Sequence, residues 1–504
     1  MRFVSSNEQT RRLEHLCDRE AGVSSLTLME IAARAVVRRI VGERWNRTGP
    51  TVVVCGPGNN GGDGYAVARG LLGLGVDVRV VEALPPKTAS CIHQREALAR
   101  CGLPVHSARG DSLEGHGVVV DAVFGAGLSR PLEGEVGALV ERMARAGDLR
   151  VAVDLPSGVH GDGGAPRGPY FRADHTLMLG HYKPAAFLPP ASAAMGVVWL
   201  EELGFAALPQ LRTEEKVHDL ILGEVPDGED LYPLIPARRL DAHKGDAGHL
   251  LVVAGHPTMI GASVLACQAA FAAGVGQVTL AAPSRSWPAL RGLPPEVMVQ
   301  EPSQLYEPGF CEGFDGVVAG PGLRIEELQP ETRAALAEIW SGAAIPVLFD
   351  AGALPLVNPA PLEVASPRAS GKRVAQRLIT PHPGEAARLL ETTTAEVQQD
   401  RMGAARRLSR HHAALLKGPH TLVGAPGHHL SINTAGGPAL ATAGSGDVLA
   451  GMCGALMARG MEARDAARVG AFVHGRAGER LPLEGATAGD LCPAISSILT
   501  ECAS

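Results

Sequence analysis

Two spacings alternate along this chain. Short, nearly continuous apolar runs stand between stretches whose apolar positions recur every three or four residues. In the first half the runs are "TVVVC" (51–55), "DVRVVE" (77–82), "GVVVDAV" (117–123), "RVAVDL" (150–155), "HTLML" (175–179) and "GVVWL" (196–200). Continuous apolar runs, unlike alternating ones, predict strands buried on both faces, as in a parallel sheet covered by helices. The helical spacing from Leu13 to Val41 predicts a helix leading into the first strand.

A second series begins with "GHLLVVAG" (248–255) and "QVTLAAP" (277–283). It continues through "DGVVAGPG" (315–322), "IPVLFDAG" (345–352), "RLITPHPGE" (377–385) and "AALLKG" (413–418). "LSINTAGG" then precedes a long helix opening at "GSGDVLAGMCGALMA". Between Gly204 and Asp241 the periodicity fails, and the text is charged and punctuated by proline. A chain of 504 residues also exceeds what one core serves well. The expectation is two doubly wound, three-layer α/β domains at 1–212 and 224–504, joined by a linker at 213–223.

Composition narrows the class. A hydrophobic content of 45% and a net charge of -7 suit a soluble globular protein and give no nucleic-acid footprint. Ile260–Pro283 carries no charge, but its glycines, its two glutamines and the break at "GVGQ" predict a buried helix followed by a strand, with no membrane span. The start, "MRFVSSNEQTRRLEHLCDRE", is too charged for a signal peptide. Nine cysteines without a C-x-x-C pair fit reduced thiols and a cytoplasmic setting. A homo-oligomer is expected.

Lysine is scarce: six stand against a Lys+Arg total of 46. Three of them, Lys183 in "HYKP", Lys244 in "HKGDAGH" and Lys417 in "LLKGPHT", sit in motif-like contexts. Either this is chance, or those places need a compact ammonium that a guanidinium cannot replace.

The candidate chemistry of the first half starts at "GPGNNGGDGYAVAR" (56–69). Gly56, Gly58 and Gly61 match G-x-G-x-x-G, a turn that aims backbone N–H groups at a phosphate. A dinucleotide fold places its acid about 20 residues further on, near Glu82. Asp63 instead falls at the helix start, where a carboxylate repels a pyrophosphate unless a cation intervenes; the bland alternative is a helix cap. Asp121 in "VDAVFGAGLSRPLEGE", with Asp154 and Ser157 in "VDLPSGVHGD", fall at other strand ends and plausibly face the same crevice. Asn60, Asp121 and Ser157 supply hard oxygens suited to an alkali or alkaline-earth cation. Asp154 is then an acid/base candidate.

These three motifs resemble the NAD(P)H-hydrate epimerase domain over roughly residues 10–205. The resemblance implies a Rossmann-like fold that interconverts R and S forms of hydrated NADH or NADPH. It implies potassium on Asn60, Asp121 and Ser157. It implies substrate contacts from Asn59, Asn60, Gly61, Gly62, Asp63, Gly125, Ala126, Gly127, Leu128, Ser129, Arg130, Pro131 and Asp154, the last also catalytic.

The second half has no G-x-x-x-x-G-K-[ST], so a Walker-type NTPase is unsupported. "ATAGSGDVLAG" places Gly444, Ser445, Gly446 and Asp447 at a helix start. Small residues there let N–H groups converge on an anion, and Asp447 is either a base for phosphoryl transfer or an N-cap. Gly320, Gly322, His382, Glu385 and Lys417 mark other strand ends, and Lys244 precedes the first strand.

This series resembles the ADP/ATP-dependent NAD(P)H-hydrate dehydratase domain, ribokinase-like, over roughly residues 225–504. The resemblance implies phosphoryl transfer from ADP, with magnesium, to the S-hydrate, followed by loss of phosphate that leaves AMP and NAD(P)H. It implies Asp447 as base, and Ala262, Gly322, His382 and Asp447 as substrate contacts. Lys417, Gly418, Pro419, His420, Thr421 and Gly446 would bind the adenine nucleotide. Where that family reads D-A-D, this chain has Asp350, Ala351, Gly352. The expected partners are hydrated NADH or NADPH and ADP. Competing readings are a small-molecule kinase fused to a nucleotide-binding regulatory domain, and a non-enzymatic nicotinamide-nucleotide sensor.

Overall fold

The structure is a computed structural model that describes residues 2–45, 49–109, 113–128, 130–205, 220–238, 241, 243–307, 309–357 and 376–503. The chain divides into two compact units, Arg2–Gly223 and Glu224–Ser504. Residues 213–219, most of the expected linker, lie outside the described residues.

In the first unit a short strand β1 (Arg2–Val4) and two helices come before the sheet. The single helix expected from Leu13 to Val41 is instead two, Asn7–Ala21 and Ser25–Gly42. Gly22, at φ 67°, ends the first in the left-handed conformation, and the Ser24 hydroxyl caps the second by accepting from Thr27 N–H. Glycine at a C-terminus and serine at the next N-terminus outweigh continuous apolar spacing.

The strands that follow are β2 (Thr51–Cys55), β3 (Val78–Glu82), β4 (Val105–Ser107), β5 (Val118–Ala122), β6 (Leu149–Val153), β7 (His175–Leu179) and β8 (Val197–Glu201). They run in the order β4-β3-β2-β5-β6-β7-β8, all parallel. Neighbouring residues feed opposite cores: Val53 and Val120 pack under the helices Ser25–Gly42 and Asn59–Gly73, while Val52 and Val119 pack on the other face with Leu139, Val140 and Met143. Order reverses between β2 and β5, and in open α/β sheets ligands bind beyond the strand ends at such a point.

The second unit holds β9 (Gly223–Val225), β10 (His249–Val253), β11 (Gln277–Ala281), β12 (Met298–Gln300), β13 (Gly316–Ala319), β14 (Val347–Phe349), β15 (Arg377–Ile379), β16 (Ala413–Leu416), β17 (Leu422–Gly424) and β18 (Leu430–Ile432). Their order is β9-β18-β17-β16-β15-β14-β13-β10-β11-β12, with β10 to β16 parallel to one another. Here the switch lies between β10 and β13. The uncharged stretch at 260–283 is a helix, Ile260–Ala272, followed by β11. One departure from a purely parallel reading is the antiparallel β16-β17-β18 end. Short strands joined by a tight turn, here with Gly427 at φ 74°, can only pair antiparallel. Among the described residues no helix is long and apolar enough to cross a membrane.

Candidate active sites

At the first switch point the glycine turn is packed too closely for side chains. A Cβ on Gly56 would lie 1.9 Å from Val123 O, and one on Gly61 1.9 Å from Gly56 O. The turn therefore lies against the loop after β5 and enters the helix Asn59–Gly73. Gly58 is its N-cap, with no side-chain cap, so Asp63 is not the capping residue. Asp63 is 8% exposed, and burial, then the charges of Asp154 and Glu14, push its carboxyl well above the usual range.

Asp121 is fully buried at the end of β5. Ser157 donates to it twice, N–H to Oδ2 at 2.7 Å and hydroxyl to Oδ1 at 2.7 Å. Val123 N–H also reaches Oδ1, at 3.1 Å. Burial nevertheless lifts its pKa to about 6, with those hydrogen bonds opposing. Both polar atoms of the Asn60 amide are buried without a hydrogen-bond partner. An orphaned amide oxygen and a buried carboxyl without a paired cation are what a site for a weakly hydrated cation leaves exposed to view.

Asp154 follows β6 and is bound through both oxygens. Lys183 Nζ donates to Oδ1 at 2.6 Å, and Ala126 N–H to Oδ2 at 2.9 Å. A Cβ on Gly125 would lie 2.6 Å from Asp154 Oδ2 and 3.2 Å from Asn60 Oδ1, so Asn60, Gly125 and Asp154 meet. Gly62 sits against Met29, while Asn59, Arg130 and Pro131 are exposed. Gly127 and Leu128 continue the same loop, and Ser129 lies outside the described residues. Glu82, the alternative ribose acid, is already engaged by Tyr65 OH at 2.8 Å and Arg95 Nε at 2.9 Å.

In the second unit, loops after β10 and β13 are tied by His256 N–H donating to Gly322 O at 2.7 Å. Gly322 has φ 60°, and a Cβ there would lie 2.9 Å from Ala262 Cβ, so the two expected substrate contacts adjoin. The next three strand ends converge on one ion pair. Lys417 Nζ lies 2.7 Å from Asp350 Oδ1 and 3.9 Å from Glu385 Oε2, and Thr380 Oγ1 donates to Asp350 Oδ1 at 2.8 Å. Burial pulls the ammonium pKa down, but Asp350 and Glu385 outweigh it, and the net shift is upward.

His382 caps the helix Pro383–Leu389, its Nδ1 accepting from Gly384 N–H at 3.0 Å and Glu385 N–H at 3.3 Å. The loop Lys417, Gly418, Pro419, His420, Thr421 joins β16 to β17, with Gly418 at φ 135° and His420 at φ 50°. A Cβ on Gly418 would lie 2.7 Å from the buried Arg401 guanidinium.

Gly444, at φ 92°, opens the helix Ser445–Ala458 without a side-chain cap. The cap alternative for Asp447 therefore fails, and the first-turn N–H groups have no intrahelical acceptor. His474 Nε2 braces the turn from beneath, 3.0 Å from Ser445 O; burial lowers its pKa to about 4, so the ring is neutral. A Cβ on Gly446 would lie 3.5 Å from Lys417 Nζ, which puts the ammonium beside the turn. Burial and the charge of Asp350, against Lys417, raise the Asp447 carboxyl to about 6.

Gly352 is a substitution with a shape. A Cβ there would lie 2.2 Å from Leu323 O, so the turn after β14 leaves no room for the family's second acid. Of the three lysines in motif-like contexts, Lys183 and Lys417 stand against carboxylates, whereas Lys244 is exposed. Glu14 gave no sequence signal, because its helix reads as a charged surface; burial, then Asp154, raises its pKa.

Two doubly wound units, each with carboxylates and glycine turns gathered beyond the ends of its parallel strands, define a two-domain α/β enzyme of the nucleotide-binding kind. Residues 250–501 match the family described as NAD(P)H-hydrate dehydratase, and residues 25–185 match the YjeF-related protein N-terminus. The chain is similar to the bifunctional NAD(P)H-hydrate repair enzyme Nnr of Thermofilum pendens, 36% identical over 92% of this chain and 90% of that protein. It is 34% identical to the Escherichia coli enzyme of the same description, over 96% and 91%. A solved ADP/ATP-dependent NAD(P)H-hydrate dehydratase from Bacillus subtilis, co-crystallized with ATP/Mg2+, aligns with 56% of this chain and 99% of its own, at 24% identity and a TM-score of 0.48. The chain belongs to the family of bifunctional NAD(P)H-hydrate repair enzymes.

Proposed function

We propose that the two units share one repair task. The first, within residues 1–212, interconverts the R and S hydrates of NADH and NADPH. The second, 224–504, returns the S form to NAD(P)H at the expense of ADP. The observation that carries this reading is that two family matches fall on separate units, residues 25–185 and 250–501, each on its own doubly wound sheet.

In the second unit Asp447 accepts the proton of the substrate hydroxyl as that oxygen attacks the terminal phosphorus of ADP. The phosphorus–oxygen bond to AMP breaks, and AMP departs with the charge. The Ser445–Gly446 turn and Lys417 offset the charge that develops on the transferred group. Phosphate then leaves with the electron pair of the C–O bond, and loss of a proton from the adjacent ring carbon to solvent regenerates the dihydropyridine. Ala262, Gly322 and His382 border the substrate, and Gly418, Pro419, His420 and Thr421 the nucleotide.

In the first unit Asp154 is the acid/base group, and the loops Asn59–Asp63 and Gly125–Pro131 hold the hydrated nucleotide. Asn60, Asp121 and Ser157 fit potassium, which when bound supplies the positive charge that lets acids and a pyrophosphate share one crevice. Magnesium belongs to this reading as a companion of ADP: among the described residues no cluster of three or more acids, histidines or cysteines is ready to hold a metal. The reading includes a cytoplasmic enzyme, in keeping with nine free cysteines, and one that self-associates.

The test is to incubate purified protein with mixed R and S hydrates of NADH, magnesium and ADP, and follow the return of dihydropyridine absorbance. Complete recovery is expected with ADP, and none without it. Recovery that halts once the S form is spent would remove the epimerase; no recovery would remove the dehydratase.

A further inference from the structure

Lys183 is 1% exposed, yet it carries an ammonium. Its Nζ donates to Asp154 Oδ1 at 2.6 Å and to Leu179 O at 2.7 Å. A buried ammonium needs such partners, and two acceptors converging on one nitrogen suit a point charge better than a planar guanidinium. In a chain that otherwise favours arginine, this lysine has a geometric reason.

Asp154 is the hub of the arrangement. Its backbone stands at φ 64°, in the left-handed region that side chains rarely adopt. Oδ1 is held by Lys183, and Oδ2 by Ala126 N–H in the small-residue loop. The groups facing it from other elements are acids: Asp63 from the helix Asn59–Gly73 and Glu14 from the helix Asn7–Ala21. His181, close to Lys183, is kept neutral by burial and by that ammonium. Lys183 is thus the positive charge set directly on Asp154 within an otherwise acidic group.

We infer that Lys183 is a positioning residue for the first unit's reaction, holding the Asp154 carboxylate in one orientation against the Ala126 turn. It does not touch substrate; it acts through Asp154. The inference rests on the epimerase reading above.

The experiment is a double-mutant cycle on the full-length protein, with Lys183→Met, Asp154→Asn and the double variant. Interconversion of purified R and S hydrates of NADH is followed without ADP, and the second unit's ADP-dependent repair of the S form serves as the control for an intact chain. Lys183→Met should lower kcat at least about 100-fold, as loss of an acid/base group does, with KM within threefold. In the Asp154→Asn background the same change should cost less than threefold, because partners in one unit are not additive. An equal loss in both backgrounds overturns the inference, and so does Lys183→Met keeping pace with wild type. Should Lys183→Met unfold the first unit, the Asp154→Asn and double variants decide alone: kcat differing by more than threefold between them overturns it, and equal kcat supports it. A wild type that leaves the R form untouched would instead remove the epimerase reading itself.

Discussion

Lys417 Nζ lies 2.7 Å from Asp350 Oδ1, and the two side chains are 19% and 2% exposed. The carboxylate is the hidden member of the pair and the ammonium the accessible one. Lys417 N–H also donates to Pro381 O at 2.9 Å, which locks the residue to the end of the neighbouring strand. Under the proposed function the same ammonium, held by Asp350 and with Glu385 at 3.9 Å, would also meet a phosphate of bound nucleotide.

Lys417→Met should accordingly fail twice. Asp350 would keep a buried charge without its partner, at a cost of about 3 kcal/mol, the low end for a broken buried pair because the lysine is partly solvated. ADP affinity should fall at least about tenfold, the equivalent of a single charge-assisted hydrogen bond. Adding Asp350→Asn should restore the melting temperature but not the affinity. Calorimetric melting and ADP titration of both variants separate the two roles; unchanged ADP affinity would contradict the phosphate role.

Restoring the family's second acid should harm this protein. In Gly352→Asp the new Cβ would lie 2.2 Å from Leu323 O, a backbone atom that cannot swing aside. Overpacking of this kind costs about 1–3 kcal/mol. The expected outcome is a lower melting temperature and no gain in ADP-dependent turnover. A variant as stable as wild type would mean that the turn after Phe349 is more open than described.

Potassium should support the first activity and not the second. Asp121→Ala removes the buried carboxyl and frees the Ser157 hydroxyl and N–H that it accepts from. It should raise the potassium concentration needed for half-maximal epimerisation at least about tenfold, since a hard cation depends on the charge of its oxygen ligands. The measurement is epimerisation rate across a potassium series in a sodium-free organic buffer. Wild-type rates that ignore potassium would sink the assignment.

Much of the fold was legible because both sheets are buried on two faces. β2 and β7 fall where their apolar runs stand, Thr51–Cys55 and His175–Leu179. Short strands such as β4 and β12 were not legible, since three residues at a sheet edge carry too little apolar text. The antiparallel end was hidden for a similar reason, lying in "TLVGAPGHHLSI", which reads as a loop. At the candidate sites, strand-end motifs marked Asp121, Asp154 and Lys417, because ligands of open parallel sheets bind where strands stop, whereas Asp350 stood out only against the family's D-A-D. Glu14 and Thr380 were invisible: their roles arise from which elements pack together, and no local spacing encodes that.

Asp447→Asn gives the sharpest test of the second unit. The side chain makes no helix cap, so asparagine, of nearly equal volume, removes no capping bond and stability should change by under about 1 kcal/mol. It cannot accept the substrate proton, and loss of a general base costs about 10²–10⁴ in rate. ADP should still bind, as Lys417 and the Gly444–Gly446 backbone are untouched. The wild-type pH profile carries the same assignment. Burial and the charge of Asp350 hold the carboxyl near about 6, against 3.8 for a free one. A base works in its ionised form, so ADP-dependent kcat with the S-hydrate should rise through pH 6, and at pH 5 should stand at about a tenth of its plateau. Removing the Asp350 charge, which raises that value, should shift the limb to lower pH, so Asp350→Asn gives an independent check of sign. Turnover of Asp447→Asn within threefold of wild type, or a wild-type rate flat from pH 5 to 7, would take the base role from Asp447.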